Sequence, residues 1–230
     1  MNGEDSADPV PSTTAEGDDR HSFPRGPVQA VAVVVLCHLA IVFALVGRNP
    51  DTARFLRLGG VVAGEVTEQP WRLLTSLFVH ADPAHVLWNG LSMIVFAVPV
   101  VLGIGYLRAA AIYLVGGALG GVAGAWAVPG GVVLFGSSGA VSALFGAWVA
   151  ITLVRARHDG LPHRARMRVL GVALLILPSL MTPISSSGRA ISVAAHLGGL
   201  AGGLAAGLLA LGAGAQKRTV EDEQPGTEDE

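Results

Sequence analysis

The chain has 230 residues, of which 51% are hydrophobic and only 14% are charged, and its mean hydropathy is +0.56. Because soluble domains carry about 25% charged residues, this composition argues against an ordinary soluble protein and favours a membrane protein. The formal net charge of −2 identifies no partner, and we do not expect the protein to bind nucleic acid. The chain has a single cysteine, Cys37, so it cannot form an intrachain disulfide.

Both ends of the chain are acidic. Of the 17 Asp and Glu residues, six lie in residues 1–19 and six in residues 221–230. Residues 1–27 are rich in proline and small polar residues and lack the basic start of a signal peptide, which predicts a disordered cytoplasmic tail. Residues 213–230 are predicted to form a second tail of the same kind.

Six stretches between the tails are candidates for membrane-spanning helices, which need about 20 mostly apolar residues. They are Val28–Val46, His85–Leu102, Leu107–Trp126, Ser138–Val154, Val169–Thr182 and Ser192–Leu211. The fifth stretch is short, and Pro178 should bend it. The predicted fold class is therefore an all-α polytopic membrane protein, with one six-helix domain over residues 28–212.

The positions of Arg and Lys predict the orientation of this domain. With the N-terminus inside, the inner segments hold ten of the 15 basic residues, and five of those ten lie in the loop of residues 155–168. Both termini are therefore expected in the cytoplasm, and the bacterial plasma membrane is the expected location.

The segment of about residues 47–84, expected outside, contains no full spanning run. We interpret it as a partly helical loop that lies on the membrane surface. Its large apolar side chains are expected at the membrane interface; they are Phe55, Leu56, Leu58, Trp71, Leu73, Leu74 and Phe78.

Glycines recur at a spacing of four residues in the third and sixth spans. They are Gly116, Gly120 and Gly124 in the third span, and Gly199, Gly203 and Gly207 in the sixth. This spacing lets helix backbones approach closely in a membrane. A structural role is therefore predicted for these glycines.

Three spans begin with polar residues that a bilayer should penalise. The clusters are His85 with Asn89, Ser137 with Ser138, and Ser192 with His196. In the predicted topology all three lie at the same depth near the outer surface. Polar groups there are candidates for function, although each alone could simply bond a neighbouring helix, as we assume for the isolated His38.

The three clusters hold the parts of a serine hydrolase. Ser138 can act as a nucleophile if a base such as His196 takes its proton, and the Ser138 backbone N–H with the side chains of His85 and Asn89 can stabilise an oxyanion. The predicted spans from the second to the sixth contain no carboxylate, so Ser138 and His196 would act as a dyad. Gly136 and Gly139 are expected to permit a tight turn and a close backbone approach, so that a reacting carbonyl can reach Ser138.

These residues resemble the rhomboid family of intramembrane serine proteases over about Glu68–Leu208. Three sets of residues carry the resemblance, in chain order on the second, fourth and sixth spans. They are Trp71-Arg72 with the H-x4-H-x3-N spacing of His80, His85 and Asn89; G-x-S-G-x6-G as Gly136, Ser138, Gly139 and Gly146; and A-H-x-x-G-x-x-x-G as Ala195, His196, Gly199 and Gly203.

The resemblance implies a six-helix rhomboid-like bundle in which Ser138 is the nucleophile, His196 the base and His80 a structural member of the outer loop. It implies peptide-bond hydrolysis through an acyl-enzyme, without a metal or cofactor, on membrane proteins cut in or beside a transmembrane segment. The fifth span and residues 182–190 would correspond to the family's mobile gate and cap. The partners expected are the lipid bilayer and transmembrane substrates.

The chain departs from the family pattern at two places. Ser142 stands where several members carry an aromatic residue that packs on the catalytic histidine, and no Glu lies near the end of the second span. Two other functions remain open: a catalytically weak or silent relative that binds membrane clients, and a small transporter or channel. The intact Ser138 and His196 argue against the first, and the absence of an intramembrane acid and of half-to-half symmetry argues against the second.

Overall fold

The computed structural model describes residues 25–45, 51–160 and 192–222, together with positions 163, 167, 169, 171 and 172. These residues are mostly helical. The helices are α1 (Arg25–Leu45), α2 (Thr52–Arg57), α3 (Arg72–Thr75), α4 (Pro83–Ile104), α5 (Tyr106–Trp126), α6 (Ser138–Asp159) and α7 (Val193–Asp222). A 3-10 turn, Ser76–Phe78, follows α3, and two short strands are β1 (Val61–Val62) and β2 (Val133–Leu134).

Within the described residues, four helices are long and apolar enough to cross a membrane. They are Pro83–Ile104, Tyr106–Trp126, Ser138–Arg157 and Val193–Gly212. They coincide with the second, third, fourth and sixth predicted spans, which are thereby confirmed as long apolar helices. The first predicted span coincides with α1, whose shorter apolar part is Val31–Val42.

The remaining parts of the predicted architecture are only partly described. The fifth predicted span and the segment assigned to the gate and cap lie mostly outside the described residues. The N-terminal tail lies outside them up to residue 24. Helix α7 continues to Asp222 and so runs past the boundary predicted at residue 212.

Local chemistry explains where the helices begin and end. Asp82 caps α4, since its side chain accepts a hydrogen bond from the His85 backbone N–H at 2.9 Å, and Pro83 occupies the first turn. Gly105, with φ of +83°, ends α4 and separates it from α5. At α7, the Ser192 hydroxyl accepts from the Ala195 N–H at 3.2 Å.

The glycine repeats bring α5, α6 and α7 together, as predicted. A Cβ at Gly116 would overlap the Ala143 side chain, and one at Gly120 would lie 2.7 Å from the Ala195 carbonyl oxygen. A Cβ at Gly203 would overlap the Ala143 carbonyl. These contacts leave no room for a side chain, so the three helices touch backbone to backbone near the N-termini of α6 and α7.

The apolar core lies between α4 and α6 and is filled by aromatic rings. The Phe96 ring lies 5.1 Å from that of Phe145 and 5.9 Å from that of Trp148, centroid to centroid. Phe96 and Phe145 are buried in a cluster that also includes Val35 of α1. This core fixes α4 against α6 and thereby sets the distance between their polar ends.

The outer loop contains short helices and a strand. Strand β1 pairs antiparallel with β2, in the register Val61 with Leu134 and Val62 with Val133. The prediction that Phe55 lies at the membrane interface is wrong: it is buried, and its ring stacks 4.1 Å from that of Phe135. Two other members of that set, Trp71 and Leu74, are exposed.

Candidate active site

The segments that carry the three polar clusters pack against one another where α4, α6 and α7 begin. A Cβ at Gly136 would lie 3.0 Å from the His85 ring, so the turn before α6 rests against α4. A Cβ at Gly139 would lie 3.4 Å from the Ala195 carbonyl oxygen, and one at Gly199 would overlap the Gly139 carbonyl. The residue after Ser138 therefore contacts the residue before His196.

The turn that presents Ser138 is built from glycine and held by the outer loop. Gly136 has φ of +108°, a conformation that a residue with a side chain rarely adopts, and its N–H donates to the Ser76 carbonyl at 2.9 Å. Ser138 is the first residue of α6, where backbone N–H groups have no partner within the helix. The predicted turn is thereby confirmed at Gly136.

Gly139 has a different role from the one predicted for the turn. It lies in the first turn of α6, and its φ is not positive. The approach predicted there was that of a reacting carbonyl to Ser138, which stays a prediction; in the structure Gly139 packs against Gly120 of α5 and against Ala195 and Gly199 of α7. Gly139 therefore sets the spacing of the helices, and Gly136 alone makes the turn.

His196 is buried near the start of α7, with 5% of its surface exposed. Ser192, its companion in the sequence cluster, caps that helix. The glycines that follow His196 in the sequence motif are interhelical contacts: Gly199 meets Gly139, and Gly203 meets Ala143.

Ser142 occupies the position where the resemblance leads one to expect an aromatic ring. Its side chain is buried, and its hydroxyl donates to the Ser138 carbonyl oxygen at 2.7 Å. This is the usual bond of a serine to the preceding turn of its own helix. The hydroxyl thus binds the backbone of the candidate nucleophile, one turn below it.

Gly146 is a contact residue further along α6. A Cβ there would overlap the Leu200 carbonyl oxygen and lie 2.8 Å from the Leu204 nitrogen, both on α7. The last glycine of the G-x-S-G-x6-G motif therefore serves the packing of the two helices that carry Ser138 and His196.

His80 and Asn89 form a hydrogen-bonded pair at the start of α4. Nδ2 of Asn89 lies 2.9 Å from Nε2 of His80, and the Ser137 hydroxyl lies 3.3 Å from the same nitrogen. All three side chains are buried. The resemblance places His80 among the structural residues of the outer loop; the structure adds a direct contact with one of the predicted oxyanion donors.

The surroundings of His80 keep its ring neutral. Burial, followed by the neighbouring His85 and His38, lowers the pKa of His80 from 6.5 to about 3. The His85 ring lies 4.8 Å and the His38 ring 6.4 Å from the His80 ring, centroid to centroid. At neutral pH His80 therefore has one bare ring nitrogen that accepts hydrogen bonds.

His38 also packs as the sequence suggested, since it is buried with its ring 5.0 Å from that of Phe78 and 6.2 Å from that of Tyr113.

Among the residues that the structure describes, no group of three His, Cys, Asp or Glu side chains is arranged to hold a metal ion.

Trp71 and Arg72 organise the outer loop. The Arg72 guanidinium donates to the carbonyl oxygens of Leu56 at 2.7 Å and Gly60 at 3.0 Å, and to Gln69 Oε1 at 2.6 Å. It also lies 4.6 Å from the Trp71 ring centroid, a cation–π distance. Arg72 thus connects the end of α2 and the residue before β1 to α3. Strand β1 pairs with β2, which leads into the turn before Ser138.

Sequence reasoning missed two contacts of this site. The Ser76 carbonyl binds the turn at Gly136, and the Ser137 hydroxyl faces His80. A signal for the second was present, because Ser137 is a polar residue adjacent to Ser138 and was already grouped with it. The contact with Ser76 joins residues 60 positions apart through the backbone, and no side-chain pattern marks such a bond.

A family model described as Rhomboid domain matches residues 67–213. The chain belongs to the rhomboid family. The matched range contains α3 to α6, the predicted fifth span and most of α7, so it includes every element that meets at the candidate active site. The resemblance seen in the sequence is thereby confirmed.

Curated rhomboid proteins from distant organisms also match the chain. The chain is 33% identical over 144 residues to "Putative rhomboid protease YdcA" of Bacillus subtilis, covering 63% of this chain and 67% of that protein. It is 30% identical over 145 residues to "Rhomboid-related protein 2" of Mus musculus, covering 60% and 47%. It is 26% identical over 166 residues to "RHOMBOID-like protein 7" of Arabidopsis thaliana, covering 71% and 50%. The chain thus spans about half the length of the mouse and plant rhomboid relatives.

Proposed function

We propose that this rhomboid protein is an intramembrane serine endopeptidase that uses Ser138 as nucleophile and His196 as general base. The observation that carries the proposal is the backbone contact between α6 and α7 at Gly139, Ala195 and Gly199. It joins the residue after Ser138 to the residue before His196. The name of the Bacillus subtilis relative, which includes the word protease, supports the same reaction.

The reaction requires no group beyond those of the chain and water. As the Ser138 oxygen attacks the substrate carbonyl carbon, its proton passes to the His196 imidazole. The tetrahedral intermediate collapses when the imidazolium gives that proton to the leaving nitrogen, which breaks the peptide bond and leaves an acyl-enzyme. Water, deprotonated by His196, then hydrolyses the ester and restores Ser138.

The negative oxygen of each intermediate needs donors. The Ser138 N–H is one, because it lies in the first turn of α6 and has no helical partner. The side chains of His85 and Asn89 on α4 supply the others in this proposal. Gly136 brings them into range, since the absence of a side chain there lets the turn approach the His85 ring.

The proposed substrates are membrane proteins cut in or beside a transmembrane segment. The four long apolar helices support this assignment, because polar groups that meet at the ends of such helices are reached most directly by a chain held in the same bilayer. The plasma membrane as location and the cytoplasmic position of both termini belong to this proposal and rest on the distribution of basic residues.

The test is cleavage of a reporter transmembrane segment by the purified full-length protein in detergent or liposomes. Ser138→Ala and His196→Ala should each abolish cleavage. Thr152→Val is a matched control for the serine, because Thr152 lies on the same helix and its hydroxyl donates to the Trp148 carbonyl of the preceding turn. His163→Ala, at an exposed position, is the control for the histidine.

The outcome distinguishes the protease from a client-binding relative. If the Ser138→Ala variant cleaves the reporter as fast as the parent protein, the proposed mechanism is wrong. If neither protein cleaves but both retain the reporter segment on affinity capture, the chain is a silent rhomboid relative that binds membrane clients.

A further inference from the structure

His80 joins two helices of the candidate site through one ring nitrogen. Its Nε2 atom lies 2.9 Å from Nδ2 of Asn89, on α4, and 3.3 Å from the hydroxyl of Ser137, which precedes α6. The His80 side chain is 3% exposed and Ser137 is fully buried, so these contacts are shielded from bulk solvent. Buried contacts of this length fix the orientation of the groups that make them.

The protonation state of His80 determines what Asn89 does. Because the ring is neutral at neutral pH, Nε2 can accept a hydrogen bond from the Asn89 amide. The proton of the neutral ring then resides on Nδ1, which is buried near the Phe78 backbone without a hydrogen bond of good geometry. The tautomer is therefore set by the partner of Nε2.

The Asn89 amide nitrogen carries two hydrogens. One is bound to His80, which fixes the plane of the amide; the second points about 120° away from the first and is left for another acceptor. If the His80 acceptor were absent, the amide could rotate and present its oxygen, which would repel an oxyanion instead of binding it.

We propose that His80 is a positioning residue that holds the Asn89 amide with its second N–H directed at the oxyanion. The inference rests on the proposed function, since it assigns the orientation of one of its donors. It makes His80 part of the catalytic arrangement through Asn89, without contact with the substrate.

Two substitutions of similar size and polarity test the proposal. In His80→Gln the side-chain amide reaches about as far as Nε2 and its oxygen can accept from Asn89; in His80→Asn the shorter amide reaches only as far as Nδ1. Both variants are polar and of similar size. We expect kcat to fall on the order of tenfold in His80→Asn and to stay within about threefold in His80→Gln, with KM unchanged in both, because an oxyanion contact acts mainly in the transition state.

The rate must be expressed per folded active site. Complete reaction with a fluorophosphonate counts the competent sites of each variant, so a loss of folded protein lowers the count and leaves kcat per site unchanged. A purely structural role for His80 predicts that kcat per site is equal in His80→Gln, His80→Asn and the parent protein, and that result would overturn the inference.

A double-mutant cycle shows whether His80 acts through Asn89. Asn89→Ala should lower kcat on the order of 10²-fold, and adding His80→Asn to it should lower kcat no further. If His80→Asn lowers kcat by the same factor with and without Asn89, the two residues are independent and the inference is wrong. If the parent protein neither cleaves nor labels at Ser138, the proposed function itself fails, which is a separate result.

Discussion

Gly199 offers the sharpest test of the contact between α6 and α7. It lies three residues after His196 and faces the first turn of α6. In Gly199→Ala the added methyl group would overlap the Gly139 carbonyl oxygen and lie 2.8 Å from the Gly139 carbonyl carbon and 3.2 Å from its Cα. All of these are backbone atoms, so no side chain can rotate away and the helices must separate.

The size of the effect follows from these distances. Non-bonded carbons attract best at about 3.5–4.0 Å, so α7 must retreat from α6 by about 1 Å to relieve the contact. A displacement of this size between reacting groups can lower the rate by about 10²-fold. Overpacking of a close contact also destabilises a protein by typically 1–3 kcal/mol.

The assay measures cleavage of a reporter transmembrane segment and thermal unfolding of the same preparation. Gly212→Ala is the matched control, because Gly212 lies on α7 and no atom lies within 4 Å of its added Cβ. Both variants gain the same helix propensity, so the difference between them isolates the contact. If Gly199→Ala cleaves within threefold of Gly212→Ala and unfolds at the same temperature, α6 and α7 are not packed as described.

The remaining predictions concern the outer loop, the oxyanion donors and the effect of pH. Arg72→Met should lower the free energy of unfolding by about 1–3 kcal/mol, because it removes the side-chain donor from the partly buried Gly60 carbonyl and leaves the Leu56 carbonyl with the bond from the Gly59 N–H; denaturant titration measures this, and an unchanged midpoint would contradict it. Asn89→Ala should lower kcat about 10²-fold with little change in KM; a change confined to KM would mean that Asn89 binds substrate instead. Because the His80 pKa is about 3 in the folded protein and about 6.5 in the unfolded chain, the unfolded state binds the proton first as the pH falls, and stability should decrease by up to about 1.4 kcal/mol per pH unit from pH 6.5 towards 3. His80→Gln should lose this part of the slope, and equal slopes in the two proteins would contradict the assignment.

The sequence predicts the long helices well, for a simple physical reason. A helix that crosses a bilayer needs about 20 consecutive, mostly apolar residues. The apolar runs in the sequence are therefore sufficient to predict α4 and α5. The glycine spacing in α5 and α7 likewise predicts close packing, because only a missing side chain lets backbones touch. The tight turn predicted at Gly136 is present, and its φ of +108° is one that glycine adopts readily.

The outer loop could not be predicted in the same way. Strands of two residues, Val61–Val62 and Val133–Leu134, carry no periodicity, and their pairing joins segments far apart in the chain. Phe55 was assigned to the membrane interface because it is large and apolar, but the same property buries it against Phe135. Hydrophobicity alone does not distinguish lipid from a protein partner.

The candidate site was also predicted only in part. The spacing of polar residues predicted which helices contribute, because each cluster starts a span. The bond from His80 to Asn89 and Ser137 was beyond prediction, since it depends on how the loop before α4 folds back onto α6. Gly139 was assigned to the turn because it follows Ser138 directly, whereas the helix already begins at Ser138.

Mass-spectrometric mapping of the residue that a fluorophosphonate modifies in the full-length protein tests the pairing of Ser138 with His196 most directly. Ser138 should be modified in the parent protein and in His163→Ala, and not in His196→Ala. Failure of the reagent to modify Ser138, or equal modification of Ser138 in the two histidine variants, would contradict the claim that Ser138 and His196 act together.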